Sequence, residues 1–353
     1  MKAVVFEQAH TIAVKEVPDP VPEGDQVLLR PVLTGICGTD KHLLAGGFMA
    51  EYPLIPGHEI IAEVLQTHPD SDLRVGMTVA VDNTEVCGAC QYCRRGELLY
   101  CENLYSRGCN APGGFAELLV APWYKCFDIG ALTPTEAALT EPLACAIHGM
   151  DVIDLKAGSD VLLFGAGPTG LLLAQLLREA GAWRVTMAAP TQRKLDLALV
   201  LGVDQVVQID REDPAAAIEG LRGLAPGGFD VVVDATGSPA ILTECPALTR
   251  IGGTVVVYGV ADEDARVPFS PYDIFERELR IQGSFAQINC FDRALMALTT
   301  GRVRTDGLIT DRFGLDDFEK ALEVMRDSNS IKVVIDPHGA GGARASAGSS
   351  RWH

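Results

Sequence analysis

Cys87, Cys90, Cys93 and Cys101 stand as C-x2-C-x2-C-x7-C in one short, loop-like stretch, a spacing that lets four thiolates converge on one tetrahedral ion. Zinc suits such a loop because its filled d shell imposes no geometry of its own, so soft sulfur donors both satisfy the ion and are folded by it. Gly88 and Gly96 supply bends. Disulfides or an iron–sulfur cluster are the alternatives, and two bridges here would leave Cys37, Cys109, Cys126, Cys145, Cys245 and Cys290 to explain. A second set is more dispersed. Cys37-Gly38-Thr39-Asp40 and Gly57-His58-Glu59 place a thiolate, an imidazole and a carboxylate apart from the four-cysteine lobe, although each alone reads as core packing or solvated surface. A third set is Gly165-Ala166-Gly167-Pro168-Thr169-Gly170, which follows the apolar run VLLF and opens an apolar helical pattern. Glycines at that spacing let the backbone turn tightly against a pyrophosphate, while the helix N-terminus supplies free N–H groups.

The elements around these motifs change character along the chain. Up to about residue 150, short β-branched runs such as QVLLRPVLTGIC and PLIPGHEIIAEVL are broken by Pro and Gly, which predicts a mostly antiparallel β domain rich in loops. From DVLLFGAG onward, buried strands alternate with helices through RVTMAA, QVVQI, FDVVVDATG, GTVVVYGV and LRIQGSF, the texture of a doubly wound parallel sheet. After residue 286, CFDRALMALTTG and DDFEKALEVMRDS read as amphipathic helices and IKVVIDP as a closing strand that returns to the first domain. The expected α/β organisation is residues 1–150 with 286–338 as the catalytic domain, its lobe at 87–101, residues 151–285 as the nucleotide-binding domain, and 339–353 as a disordered tail.

Composition narrows the function further. With 353 residues, 48% of them hydrophobic, the chain is long enough for two cores. A net charge of −18, from 47 acids against 29 bases, argues against a nucleic-acid partner. No basic leader precedes a long apolar segment and no run reaches membrane-spanning length, so the expectation is a cytoplasmic protein without a membrane partner, whose ten cysteines stay available for metal.

Taken together and in order, GICGTDKH, PGHE, the cysteine lobe, GGFAELLVAP, EPLACAIHG, GAGPTG, DATG and IKVVIDP resemble the zinc-dependent medium-chain dehydrogenase/reductase family, in particular its polyol (sorbitol-type) branch, over nearly the whole chain. The resemblance implies a GroES-like catalytic domain, a Rossmann nucleotide domain and two zinc ions per chain. It implies a catalytic zinc on Cys37, His58 and a carboxylate, with Glu59 and Glu141 as candidates for ligand or for partner of the zinc-bound water. Glu141 stands where the alcohol-dehydrogenase pattern has a second cysteine, which points to the polyol branch; nearby Cys145 is the alternative ligand. Thr39 would accept the substrate proton, His42 would relay it outward, and Asp40 would orient a ligand such as His58.

The cofactor is read from the end of the second nucleotide-domain strand. Ala189 occupies the place where an acid would hold the ribose hydroxyls of NAD, and Thr191, Arg193 and Lys194 are on hand for a 2′-phosphate, so NADP is expected, with NAD possible. The expected substrate is a polyol, sugar or cyclitol; L-threonine and a phosphorylated polyol are the alternatives within the enzyme class, and an inactive binding protein on the same scaffold the alternative outside it. Phe48, Tyr52, Arg107, Phe115 and Glu141 are candidates to line the pocket, and Arg277 to bind a phosphate or pair with Glu276 or Glu278. Relatives commonly pair edge strands, so GTVVVYGV is expected to support a homodimer or homotetramer.

Overall fold

The strand Gln26–Gly35 shows how the sequence builds the first unit: Val27 and Leu29 are buried, while Leu28 and Arg30 alternate to the opposite face. In the computed structural model, which describes residues 1–210, 213–339 and 343–344, this strand lies in an antiparallel sheet against Glu59–Gln66, Leu119–Pro122 and the late strand Lys332–Ile335. Thr78–Val81 and Cys126–Asp128 extend the sheet beyond Glu59–Gln66, and Ile309–Phe313 runs parallel to Lys332–Ile335. The hairpin of Lys2–Gln8 with Thr11–Glu16 contributes Val4 and Phe6 to a core shared with Leu43, Leu54, Phe115 and Phe318. A second core, built on Val27, Leu29, Ile60, Val64, Val79 and Leu119, fills the sheet itself.

Chain segments far apart in sequence make up this unit. It comprises Met1–Glu141, Phe291–Thr300 and the chain from Thr305, while Pro142–Cys290 with Gly301–Arg304 form the other. The boundaries therefore fall at Glu141 and Cys290 rather than at 150 and 285. Of the expected tail, Ala343–Arg344 pair with Asp311 and Arg312 as a short antiparallel strand, and 340–342 and 345–353 lie outside the described residues.

Six parallel strands form the second unit, in the order Gln205–Gln208, Arg184–Ala189, Asp160–Phe164, Phe229–Asp234, Thr249–Val257, Arg280–Gly283. The first strand in sequence is central and the order reverses beside it, the position where doubly wound sheets bind nucleotides. Phe164, Ala188, Phe229, Val232 and Val255 lie in its core, with helices Ala215–Leu224 and Pro239–Leu248 adding Ile218, Leu221, Leu242 and Leu248. The run GTVVVYGV is not an edge: Thr249–Val257 is paired on both sides, and its apolar character reflects burial inside the sheet. The edge on that side is Arg280–Gly283, all four of whose residues are exposed. Among the described residues no helix is long and apolar enough to cross a membrane.

Candidate active site and metal centres

Cys37 ends the run into helix Gly38–Ala45 and occupies its N-cap position, where the Asp40 carboxylate accepts the Cys37 backbone N–H at 2.8 Å through Oδ2. The other oxygen of the same carboxylate, Oδ1, faces His58 Nδ1 at 3.5 Å. One fully buried aspartate thus holds the Cys37 backbone through one oxygen and faces the His58 ring with the other. Ligand atoms of Cys37, His58 and Glu59 all lie within 4.8 Å of one another, and the Thr39 hydroxyl is 3.7 Å from Cys37 Sγ. His42 follows Thr39 by three residues on the same helix and is half-buried.

Charge at this cluster favours a cation. Burial opposes a proton on His58, yet the neighbouring Cys109 and Asp40 outweigh it and hold the imidazole well above its usual value. Glu59 is buried and paired with Lys332, whose ammonium also donates to the Ile36 carbonyl at 3.0 Å. Burial likewise works against the Lys332 charge, and Glu59, Cys37 and Glu141 together raise its pKa above the ordinary value. The pair fits only because residue 35 is glycine: a Cβ there would lie 1.8 Å from Glu59 Oε2 and 2.8 Å from Lys332 Cε. Glu141, in the first turn of helix Thr140–Ile153, is buried too; it is among the charges acting on Lys332 but is not one of the three clustered donors. A thiolate, an imidazole and buried carboxylates make a donor set that zinc fits.

The four lobe cysteines also converge, their sulfurs within 4.8 Å of one another. Backbone N–H groups point at them: Cys90 N donates to Cys87 Sγ at 3.3 Å, Cys93 N to Cys90 Sγ at 3.5 Å and Cys87 N to Cys101 Sγ at 3.3 Å. The N–H groups of Ala89 and Cys90 pull the Cys87 thiol down to about 6 and favour its thiolate, the form that binds zinc, whereas burial and the neighbouring thiols push Cys93 up to about 12.

In the second unit Gly165 adopts φ +108°, Gly167 caps helix Pro168–Glu179, and a Cβ on Gly170 would lie 2.2 Å from the Gly165 carbonyl. The turn therefore needs glycine and leaves the helix N-terminus, with Pro168 and Thr169 in its first turn, able to receive an anion. Strand Arg184–Ala189 ends at buried Ala189, Thr191 occupies the N-cap position of helix Gln192–Val200, and Arg193 and Lys194 lie in that helix's first turn.

Several pocket candidates have other duties. Arg107, 2% exposed, donates to the Val120 carbonyl at 2.9 Å and pairs with Glu85; Phe115 packs on Phe318 with ring centroids 4.9 Å apart. The Tyr52 hydroxyl donates to the Leu43 carbonyl. Arg277 pairs with Asp273 at 2.9 Å and with the Thr249 carbonyl, not with Glu276 or Glu278. Sequence reading missed Lys332 and Cys109. The only signal for Lys332 was a lysine opening an apolar strand.

Comparison with known proteins agrees with this geometry. Residues 23–131 match the alcohol dehydrogenase GroES-like domain and 168–300 the zinc-binding dehydrogenase domain. D-arabinitol dehydrogenase 1 of Uromyces fabae is 42% identical, covering 96% of this chain and 97% of its own length. Sorbitol dehydrogenase of Bombyx mori is 31% identical, covering 94% and 97%. A crystal structure from Sinorhizobium meliloti 1021, described as a zinc-binding dehydrogenase bound to NADP, is 36% identical with a TM-score of 0.89, covering 95% of this chain and 99% of that one. The chain belongs to the zinc-dependent medium-chain dehydrogenase/reductase family, with a GroES-like catalytic domain and a Rossmann nucleotide domain. Within that family it is an alcohol/polyol dehydrogenase of the polyol branch.

Proposed function

We propose that this enzyme oxidises a secondary hydroxyl of a polyol, sugar or cyclitol with NADP⁺ as the preferred acceptor, using one catalytic and one structural zinc per chain. The observation that carries the reading is the convergence of Cys37, His58 and Glu59 beside a buried lysine. Cys37, His58 and Glu59 would hold the catalytic ion, and Cys87, Cys90, Cys93 and Cys101 the structural one. Zinc bound there supplies Lewis acidity that acidifies an alcohol hydroxyl, and a bound nicotinamide supplies the hydride acceptor. Asp40 keeps the His58 ring in register, Glu141 accepts a hydrogen bond from a substrate hydroxyl, Thr39 takes up the hydroxyl proton and His42 passes it toward solvent. Lys332 pairs with both oxygens of Glu59 and neutralises its charge.

At the nucleotide site, Gly165, Gly167, Pro168, Thr169 and Gly170 would receive the pyrophosphate. The 2′-phosphate would lie by Ala189, Thr191, Arg193 and Lys194, where no carboxylate ends the strand to repel it; the NADP-bound relative supports this choice. Initial rates on pentitols, hexitols, cyclitols, their phosphates and L-threonine, with each cofactor and after chelation, test the proposal. The expected result is chelator-sensitive turnover of one unphosphorylated polyol or cyclitol, faster with NADP⁺. Ala189→Asp should then lower the NADP⁺ to NAD⁺ ratio of kcat/KM by at least about tenfold, the factor equivalent to 1.4 kcal/mol. An unchanged ratio removes Ala189 from the cofactor argument, and turnover of L-threonine alone replaces the polyol reading.

The same reading includes a homodimer or homotetramer, assembled not through Thr249–Val257 but through the exposed strand Arg280–Gly283. Phe275, 80% exposed, and Tyr272 lie just before that edge, and the unpaired backbone suits a second copy of itself. Sedimentation should return the mass of two or four chains; a monomer at micromolar concentration rejects the assembly.

A further inference from the structure

Helix Thr140–Ile153 carries Glu141 in its first turn, but its second half bears a polar pair for which the active centre has no use. His148 and Asp151 stand three residues apart, a spacing that sets both side chains on one side of the helix. Cys290 meets them from the residue just before helix Phe291–Thr299. A ring nitrogen of His148, a carboxylate oxygen of Asp151 and Cys290 Sγ all lie within 4.8 Å of one another. The approach is shaped by two left-handed residues that are not glycine, Ala286 at φ 46° and Asn289 at φ 55°, which bend the backbone just ahead of the thiol.

We propose that His148, Asp151 and Cys290 form a third metal site, separate from the Cys37 cluster and the four-cysteine lobe, for a borderline-soft divalent ion such as Zn²⁺. The donor set selects the ion. A thiolate and an imidazole suit zinc or cobalt and disfavour magnesium and calcium, which take oxygen ligands. Bonds of about 2.0–2.3 Å in a tetrahedron separate ligand atoms by about 3.3–3.8 Å, so donors within 4.8 Å of one another need to close by no more than about 1.5 Å. Asp151 is exposed, Cys290 is 1% exposed, and His148 lies between them in burial. The ion enters from the Asp151 side, and water takes the fourth position. In the metal-free protein the Cys290 thiol donates to the Ile288 carbonyl at 3.2 Å. On binding, that proton leaves to solvent and the sulfur–metal bond replaces the S–H bond, so one proton is released and no oxidant or reductant is involved. The occupied site would pin the second half of the helix that presents Glu141 to the segment ending at Cys290.

Metal content measured after equilibration with micromolar Zn²⁺ and gel filtration tests the site. Wild-type enzyme should retain one more zinc per chain than Cys290→Ser, whatever the absolute number held elsewhere, which separates this test from the two-zinc reading above. Because Asp151 is exposed, Asp151→Asn keeps the fold intact and should weaken the extra equivalent by at least about tenfold, a loss typical of disturbed metal shells. Co²⁺ in the same position should give a sulfur-to-cobalt absorption that vanishes in Cys290→Ser. Equal zinc in wild type and Cys290→Ser, or unchanged affinity in Asp151→Asn, overturns the proposal; if Cys290→Ser fails to fold, Asp151→Asn decides alone.

Discussion

Lys332→Met should lower stability by about 3–5 kcal/mol, because it leaves Glu59 as a buried carboxylate without its counter-charge. In a protein of this size that corresponds to a fall in Tm of roughly 4–7 °C. The effect should be largest in chelator-treated enzyme, where no cation remains to offset Glu59. The double variant Lys332→Met with Glu59→Gln should recover most of the loss, since removing both charges also removes the desolvation that the pair opposes. Differential scanning calorimetry of wild type and the two variants, with and without chelator, decides the matter. A single variant as stable as wild type would mean that the ammonium contributes nothing at this position, and the account of Gly35 as the residue that admits the pair would fall with it.

His58→Asn should reduce kcat/KM by at least about 10³-fold with little change in secondary structure, since a metal centre lowers the pKa of a bound hydroxyl by several units and the variant loses much of that. Metal analysis should show one zinc fewer per chain. The same assay separates the two carboxylates: Glu59→Gln should lose zinc together with activity, whereas Glu141→Gln should keep zinc and lose turnover. This outcome follows from the position of Glu59 within 4.8 Å of Cys37 and His58, a cluster that Glu141 does not join. A His58→Asn enzyme within tenfold of wild type would remove the imidazole from the reaction.

What could be read from the sequence was what is local. The lobe cysteines lie close together in the chain, and the Gly165–Gly170 turn carries its own strand and helix signals on either side, so each motif is visible without knowing the fold. Asp40 was legible for the same reason, three residues from Cys37. Lys332 was not: its contact with Glu59 spans 273 residues and exists only because Lys332–Ile335 pairs with Gln26–Gly35. The sheet edge was misread for a different reason. Hydrophobic alternation reports how many faces of a strand are buried, not how many neighbours it has, so Thr249–Val257 drew attention while the short, polar Arg280–Gly283 did not. Arg107 and Phe115 looked available because they flank metal motifs, and both are occupied inside the core.

The order of synthesis gives the interrupted first unit a consequence of its own. Pro142–Cys290 is a nearly continuous stretch, able to fold as a body while the ribosome is still adding the remainder. The unit that holds Cys37, His58 and Glu59 waits for Lys332–Ile335, made after that stretch, to complete its sheet and deliver the cation that Glu59 requires. A nascent chain therefore holds a finished nucleotide fold while its reaction centre is still incomplete, and competence for chemistry arrives with one lysine made after that fold.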